Sequence, residues 1–118
     1  MLEELGQPYD IHLLSFTKGE NRAADYLAVN PLGKVPALKH GDTVVTESAA
    51  ICAYLADAFP NKRLAPPPGD PGRGPYYRWM FFAAGPVEAA VTAKSLGLLA
   101  PEDKKAMAGY GRFEDVID

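Results

Sequence analysis

The stretch from Asn30 to Leu55 restricts the possible folds of this chain more than any other, because its residue pattern changes twice within a short run. Residues 30–33, Asn-Pro-Leu-Gly, combine a proline of fixed φ with a glycine that adopts positive φ easily, as tight turns require. After a polar turn at residues 40–43, the β-branched run at residues 44–46 predicts the second strand of a hairpin. Apolar residues then recur at helical spacing, at Ile51, Leu55 and Phe59. The stretch therefore predicts a turn, a β-hairpin and a helix in immediate succession.

The first strand of this hairpin is predicted at Val35–Leu38. Pro36 within it has no N–H to donate to a strand ladder, so it has to lie at a strand start, at an edge or at a bulge. The backbone beside Pro36 is then free to pair with something other than a strand.

The start of the predicted helix has the charge pattern of a binding site for a zwitterionic amino-acid group. Ser48, or Thr46 just before it, is a suitable N-cap. A helix start attracts a carboxylate or phosphate by about 0.3–1 kcal/mol at exposed sites. Glu47 would bind an ammonium instead, and an anion site beside a carboxylate suits the zwitterionic end of an amino acid. The alternative is that Ser48 is only a cap and Glu47 only a first-turn acid.

Taken together, NPLGKVPAL, a short hairpin and TESAAICAYL closely resemble the glutathione-binding half of the glutathione S-transferase family. The resemblance covers residues 2–59 well and continues more loosely to residue 118. It implies an α/β thioredoxin-like domain at 1–60, which lacks its first strand, a Pro/Gly-rich linker at 61–75 and the start of an all-α helical domain at 76–118. Six of the chain's eleven prolines lie between residues 60 and 75, which fits a linker.

The resemblance also implies a glutathione site. In the family, the proline matching Pro36 is cis, and the residue matching Val35 pairs its backbone with the cysteinyl part of glutathione. The residues matching Glu47 and Ser48 hold the γ-glutamyl amine and carboxylate, in agreement with the electrostatic argument above.

Lys34 and Arg22 are secondary candidates. Lys34 stands where relatives often carry a polar ligand contact, and Arg22 is a candidate for the glycyl carboxylate of glutathione. The alternative for Arg22 is an exposed arginine that is merely solvated.

Residues 76–94 predict a helix that Pro86 should kink, because proline removes a backbone donor and clashes with the preceding turn. Relatives place the pocket for the electrophilic co-substrate between this helix and the first domain, so the resemblance makes Trp79, Phe82 and Glu88 candidate lining residues. The alternative is that the aromatic residues form bundle core and dimer contacts. A second helix is expected after Pro101.

Before the Asn30 turn, the last turn of a helix is predicted at residues 1–5, a strand at Tyr9–Leu14 and a short helix at Ala23–Val29. The family fold begins with a further strand and most of a helix, which would lie upstream of Met1. The Tyr, Ser or Cys that activates the glutathione thiol follows that strand. We therefore expect the chain to be a fragment that is not a competent transferase by itself.

Three residues were considered as replacements for the activating group. Ser15 ends the wrong strand and Tyr9 opens it. Cys52 lies among alanines in a helix, which favours a buried, inert packing role. None of the three replaces the activating residue convincingly.

Composition excludes several other classes of function. The net charge is −3 and the twelve basic residues are scattered, so we expect no nucleic-acid partner. A single cysteine excludes a disulfide and a dithiol redox motif, and His12 and His40 show no metal-ligand pattern. Because no metal-ligand pattern is present, we expect no metal. Because the sequence has no long apolar run and no leader segment, we expect a cytoplasmic protein with no membrane partner.

Two classes of function remain. The first is a homodimeric glutathione S-transferase that binds glutathione as co-substrate and conjugates its thiolate to a small-molecule electrophile. The second is a non-catalytic member of the same fold that acts as an interaction or regulatory protein. Retention of Val35-Pro36 and Glu47-Ser48 favours a glutathione-binding protein, since a pure scaffold needs no zwitterion site.

Overall fold

The computed structural model describes residues 1–117, which belong to two compact units divided between Pro67 and Pro68. The first unit begins at Met1, and the second begins at Pro68. The division falls inside the proline-rich stretch that separates the two predicted domains. The first unit contains the Asn30–Leu55 stretch.

The first unit is built around one antiparallel hairpin and the helix that follows it. Its elements are α1 at Leu2–Leu5, α2 at Ala24–Val29, β1 at Ala37–His40, β2 at Thr43–Thr46 and α3 at Ser48–Ala58. Short 3-10 turns lie at Glu20–Arg22 and Pro60–Lys62. The predicted order of turn, hairpin and helix is confirmed, as are the helical turn at the N-terminus and the helix before Asn30. β1 begins two residues later than predicted, because Pro36 cannot donate to the ladder.

The core of the first unit lies between the hairpin, α3 and α1. Leu5 is fully buried, and Ile51 and Leu55 on α3 are 9% and 3% exposed. Leu38 and Val45 are cross-strand partners and pack against this cluster. Other partly buried residues complete it: Leu2, Tyr54, Phe59 and Leu64. Full burial of one such aliphatic side chain stabilises by about 1.5–3 kcal/mol, so contacts between distant residues hold this unit together.

The predicted strand at Tyr9–Leu14 is wrong. Its residues adopt no strand, and Ile11 and Leu13 are 69% and 85% exposed. The sheet contains only β1 and β2 within residues 1–117, so this segment has no neighbour there to pair with. Alternating apolar residues form a stable strand only when a partner strand and a buried face are both present.

The predicted helix cap is also wrong. Glu47 is the N-cap of α3, with φ 68° and ψ 122°, and its side chain makes no capping hydrogen bond. Ser48 is already the first residue of the helix. Since β2 ends at Thr46, Glu47 alone has to turn the chain from strand to helix, and it does so with a positive φ.

The second unit is helical. It contains α4 at Arg73–Phe82, a π-helical turn at Ala83–Val87, α5 at Glu88–Ser95, a 3-10 segment at Glu102–Met107 and α6 at Phe113–Ile117. The helix predicted at residues 76–94 is confirmed as α4, the π turn and α5 in succession, and Pro86 lies in the π turn, whereas the kink predicted there stays a prediction. The helix expected after Pro101 is wrong in type, because only a 3-10 segment forms there. Gly109 and Gly111 follow it, and glycine disfavours continuation of a helix.

Candidate functional site

The register of the hairpin brings the two predicted halves of the site to one place. Ala37 pairs with Thr46. Val35–Pro36 immediately precedes the first of these residues, and Glu47–Ser48 immediately follows the second. Paired Cα atoms in an antiparallel sheet are about 4.5–5.5 Å apart, so both dipeptides leave the hairpin at the same end. All four residues are exposed, and this end is accessible to a ligand.

The first half of this site is a backbone that the hairpin leaves unpaired. The Val35–Pro36 peptide bond is cis, as the resemblance implied. Val35 lies outside the ladder, which begins at Ala37, and is 46% exposed. The peptide groups of Val35 can therefore pair with an extended ligand, as the free backbone beside Pro36 led us to expect.

The second half of the site combines a helix start with a carboxylate. The N–H of Ile51 donates to the Glu47 carbonyl at 2.9 Å, which closes the first turn of α3. The three N–H groups before it, from Ser48 to Ala50, precede any intrahelical acceptor and point away from the helix. Glu47, whose side chain is exposed, directly precedes these residues in the chain. An anion at the helix start and an ammonium at Glu47 are thus both favoured, within one residue of each other.

Asn30 holds the turn that leads to Val35. It is 3% exposed, and its Oδ1 accepts the N–H of Leu32 at 3.1 Å. Its carbonyl accepts the N–H of Gly33 at 2.8 Å, and its Nδ2 donates to the carbonyl of Lys34 at 2.8 Å. Sequence reasoning identified Asn30 only as a turn residue. The burial of Asn30 and its hydrogen bond to the Lys34 carbonyl follow from the folded turn. The sequence signal that could have suggested them is an asparagine before Pro-x-Gly.

Asn21 and Arg22 brace the same turn from the preceding 3-10 segment. Arg22 Nη1 donates to the Leu32 carbonyl at 3.1 Å, and Asn21 Nδ2 donates to the Gly33 carbonyl at 2.9 Å. A Cβ on Gly33 would lie 2.7 Å from both Arg22 Nη1 and the Asn21 carbonyl oxygen. Asn21 was missed by sequence reasoning, because its contact is twelve residues distant. The role of Arg22 toward a glycyl carboxylate stays a prediction, and the Lys34 side chain is exposed.

The residues considered for thiol activation are engaged locally. The Tyr9 hydroxyl donates to the Glu3 carboxylate, and this hydrogen bond together with the negative charge of Glu3 raises the pKa of Tyr9. The Ser15 hydroxyl is hydrogen-bonded to Thr17 Oγ1 at 3.0 Å. Cys52 is half-buried within α3, which corrects the expectation of full burial.

In the second unit, two of the three predicted pocket residues lie together. The Trp79 and Phe82 rings meet edge to face with centroids 5.7 Å apart, and the Arg78 guanidinium lies 4.4 Å from the Trp79 ring centroid. Trp79 is 56% exposed. Glu88 is the exposed first residue of α5, beyond the π turn. The two aromatic rings form an accessible apolar surface, whereas Glu88 lies six residues after Phe82, beyond the π turn.

Residues 1–58 match the family model described as the N-terminal domain of glutathione S-transferase. This chain belongs to the glutathione S-transferase family. It is 54% identical over 55 residues to a probable glutathione S-transferase of Oryza sativa subsp. japonica, which covers 47% of this chain and 26% of that protein. It is 36% identical over 89 residues to glutathione S-transferase 1 of Schizosaccharomyces pombe, covering 70% of this chain and 38% of that protein. The chain thus spans well under half the length of these curated relatives.

Solved structures of glutathione transferases share the fold. One is the glutathione transferase URE2P6 of Phanerochaete chrysosporium in complex with oxidised glutathione, with a TM-score of 0.69 and 39% identity over 86% of this chain and 48% of that chain. Another is a glutathione transferase homologue from Sulfitobacter with bound glutathione, with a TM-score of 0.69 and 30% identity over 98% of this chain and 52% of that chain. The fold is that of a thioredoxin-like glutathione S-transferase domain followed by helices.

Two features are absent from residues 1–117. No helix there combines the length and the apolar character that crossing a membrane demands. No group of three or more His, Cys, Asp or Glu side chains is arranged to hold a metal ion in the same residues.

Proposed function

We propose that this chain carries the glutathione-binding site of a glutathione S-transferase that conjugates the glutathione thiolate to a small-molecule electrophile. The observation that supports this most is the pairing of Ala37 with Thr46. That pairing brings the unpaired backbone of Val35 and the start of α3 beside Glu47 to one exposed end of the hairpin. Glutathione has both complementary parts, a peptide backbone and a free amino-acid end, and the solved neighbours named above contain it.

In this proposal each part of glutathione has its own partner. The γ-glutamyl ammonium binds Glu47, and the γ-glutamyl carboxylate binds the Ser48 hydroxyl and the N–H groups at the start of α3. The cysteinyl part pairs with the backbone of Val35, next to Pro36. Lys34 is a secondary contact along the peptide, and Arg22 reaches the glycyl carboxylate.

In the transfer step the glutathione thiol loses its proton to solvent, and the thiolate forms a bond to an electrophilic carbon, from which a leaving group departs with the bonding electrons. The protein lowers the thiol pKa and holds the two reactants in position. Trp79, Phe82 and Glu88 of the second unit are the residues proposed to contact the electrophile. No residue among 1–117 is assigned to thiol activation.

A non-catalytic glutathione-binding protein with an interaction or regulatory role is the alternative. The engagement of the Tyr9 and Ser15 hydroxyls with Glu3 and Thr17 favours it, because neither hydroxyl is then poised for a thiolate. An assay of thiol conjugation to a general aromatic electrophile separates the two functions when it is run on this chain extended to the length of its curated relatives, because no residue among 1–117 is assigned to thiol activation. Turnover above the uncatalysed rate establishes the transferase, whereas glutathione binding without turnover supports the alternative.

Calorimetric titration of the 118-residue chain with glutathione tests the site itself. Glu47→Ala should weaken binding by about 1.5–3 kcal/mol, the usual range for hydrogen bonds to charged groups. Asp42→Ala is the matched control, since Asp42 is an exposed acid in the turn at the other end of the hairpin. Unchanged affinity in Glu47→Ala removes this residue from the site, and a wild-type chain that binds no glutathione overturns the proposal.

The protein is further proposed to act as a homodimer in the cytoplasm. Tyr77 and Phe81 on α4 are 43% and 71% exposed, which offers apolar surface to a second copy. Light scattering at micromolar concentration measures this directly, and a monomer would contradict it.

A further inference from the structure

The carbonyl of Lys34 is held by two side chains that are not part of the proposed ligand contacts. The Tyr26 hydroxyl donates to it at 2.5 Å, and Asn30 Nδ2 donates to it at 2.8 Å. A carbonyl oxygen has two lone pairs, so these two donors satisfy it fully. Tyr26 is the third residue of α2, and Asn30 directly follows that helix.

This carbonyl and the N–H of Val35 belong to the same peptide unit. A peptide unit is planar, and in the trans form its C=O and N–H point in opposite directions. The Val35–Pro36 bond is the cis bond among residues 1–117, so the Lys34–Val35 unit is trans. Two donors that hold the carbonyl on one side therefore aim the Val35 N–H toward the other side.

No strand pairing orients this peptide unit. The β1–β2 ladder begins at Ala37, and Pro36 between Val35 and the ladder has no N–H. Within a strand, cross-strand hydrogen bonds would set the direction of each peptide unit. Here the side chains of Tyr26 and Asn30 take over that task.

We infer that Tyr26 and Asn30 are positioning residues for glutathione, which keep the Val35 N–H aimed at the cysteinyl carbonyl of the ligand. The inference rests on the proposed function and extends it to two residues that touch no ligand atom. Without the two donors, the Lys34–Val35 unit can rotate in the free protein. Glutathione would then have to order it on binding, which lowers affinity.

Tyr26→Phe is the sharpest test, because it removes one oxygen and keeps the ring. In calorimetric titration of the 118-residue chain, we expect the Kd for glutathione to rise about threefold to tenfold, the effect of one neutral hydrogen bond. Tyr54→Phe is the matched control. Its hydroxyl is hydrogen-bonded to His40 Nδ1 at 2.9 Å, at the opposite end of the same hairpin, and its loss should leave the Kd unchanged.

A second ligand separates positioning from general damage to the fold. γ-Glutamylmethylamide keeps the zwitterionic end of glutathione and lacks the cysteinyl carbonyl, so its affinity, measured by NMR titration, should be the same in wild type and Tyr26→Phe. Equal weakening of both ligands would indicate structural damage and overturn the positioning role. An unchanged Kd for glutathione in Tyr26→Phe would overturn it as well.

Asn30→Asp provides an independent check on the same carbonyl. The variant keeps an oxygen that can accept the Leu32 N–H, but it turns an acceptor toward the Lys34 carbonyl in place of the donor. We expect a larger loss of glutathione affinity than in Tyr26→Phe, again without loss of γ-glutamylmethylamide binding. A wild-type chain that binds neither ligand refutes the proposed function itself, a result distinct from either failure of the positioning role.

Discussion

Each unit of this chain is stabilised internally by a different kind of contact. In the first unit, Leu5 is buried against Ile51 and Leu55, so its core joins residues that lie far apart in the sequence. In the second unit, the ring contacts of α4 join residues close in the sequence, such as Tyr77 and Phe81. Within residues 68–117, Ala90 is the one buried apolar residue. Truncation of a buried side chain in such a core leaves a cavity, whereas truncation of an exposed side chain removes few contacts.

Replacement of a core leucine should show the largest difference between the units. Leu5→Ala removes a side chain that is fully buried, and we expect it to destabilise the first unit by about 2–5 kcal/mol. Met107→Ala in the second unit truncates a side chain that is 82% exposed and should change stability by less than about 0.5 kcal/mol. Residue-resolved amide hydrogen exchange measures both units separately. Similar losses of protection in the two variants would contradict the comparison.

A smaller difference is expected between two glycines within the first unit. Gly33 and Gly41 have φ of 64° and 61°, so an alanine at either position carries about 1–2 kcal/mol of left-handed strain. At Gly33 the added Cβ also meets Asn21 and Arg22 at 2.7 Å, whereas at Gly41 it meets nothing within 4 Å. Gly33→Ala should therefore cost about 1–3 kcal/mol more than Gly41→Ala. Urea unfolding of the two variants measures this difference, and equal midpoints would show that the brace at Gly33 yields freely.

The smallest effect is expected from a local ion cluster in the second unit. Lys105 Nζ lies 2.8 Å from Glu102 and 3.5 Å from Glu114. A hydrogen bond from the backbone N–H of Glu114 lowers the pKa of its own carboxyl group, assisted by the positive charge of Lys105, and the hydrogen bond that Lys105 donates to Glu102 raises the pKa of Lys105.

A carboxyl group whose pKa is lower in the folded state stabilises the fold at pH values above its unfolded-state pKa. This stabilisation is lost as the pH falls through the folded-state pKa. A lysine whose pKa is higher in the folded state stabilises the fold at pH values below its unfolded-state pKa. This stabilisation is lost as the pH rises through the folded-state pKa. Stability from this cluster should therefore be present at neutral pH and decline slightly at both extremes. NMR titration of the Glu114 carboxyl checks it: Lys105→Met should raise the midpoint toward the ordinary value, and an unmoved midpoint would exclude the ion pair as a cause.

Local signals in the sequence were sufficient to predict the order of elements around the site. Pro31 and Gly33 mark the turn, the β-branched residues mark β2, and the apolar spacing marks α3. Each of these signals acts within a few residues, so it does not depend on the rest of the fold. The same is true of the π turn that contains Pro86, where the missing N–H acts within one helical turn.

The family resemblance likewise identified Val35, Pro36, Glu47 and Ser48 as site residues, and the register of the hairpin shows that these positions lie at one end. Their individual roles toward glutathione stay predictions. The charge argument at Glu47 and Ser48 needed no fold, since a carboxylate beside a helix start has the same chemistry in any context.

Tertiary structure alone decided three other features. The apolar alternation at Tyr9–Leu14 predicted a strand, but pairing depends on a neighbouring strand that residues 1–117 do not supply. The sequence predicted Ser48 or Thr46 as the N-cap of α3, but the N-cap is Glu47, because Glu47 is the one residue between the end of β2 and the start of the helix. The donors to the Lys34 carbonyl, Tyr26 and Asn30, converge only once the turn has closed. The sequence by itself thus determined the turn, the hairpin, the helix and the charges at their junction. Which polar groups meet across the turn was decided by folding, because a hydrogen bond depends on distance and direction in space, and sequence separation specifies neither.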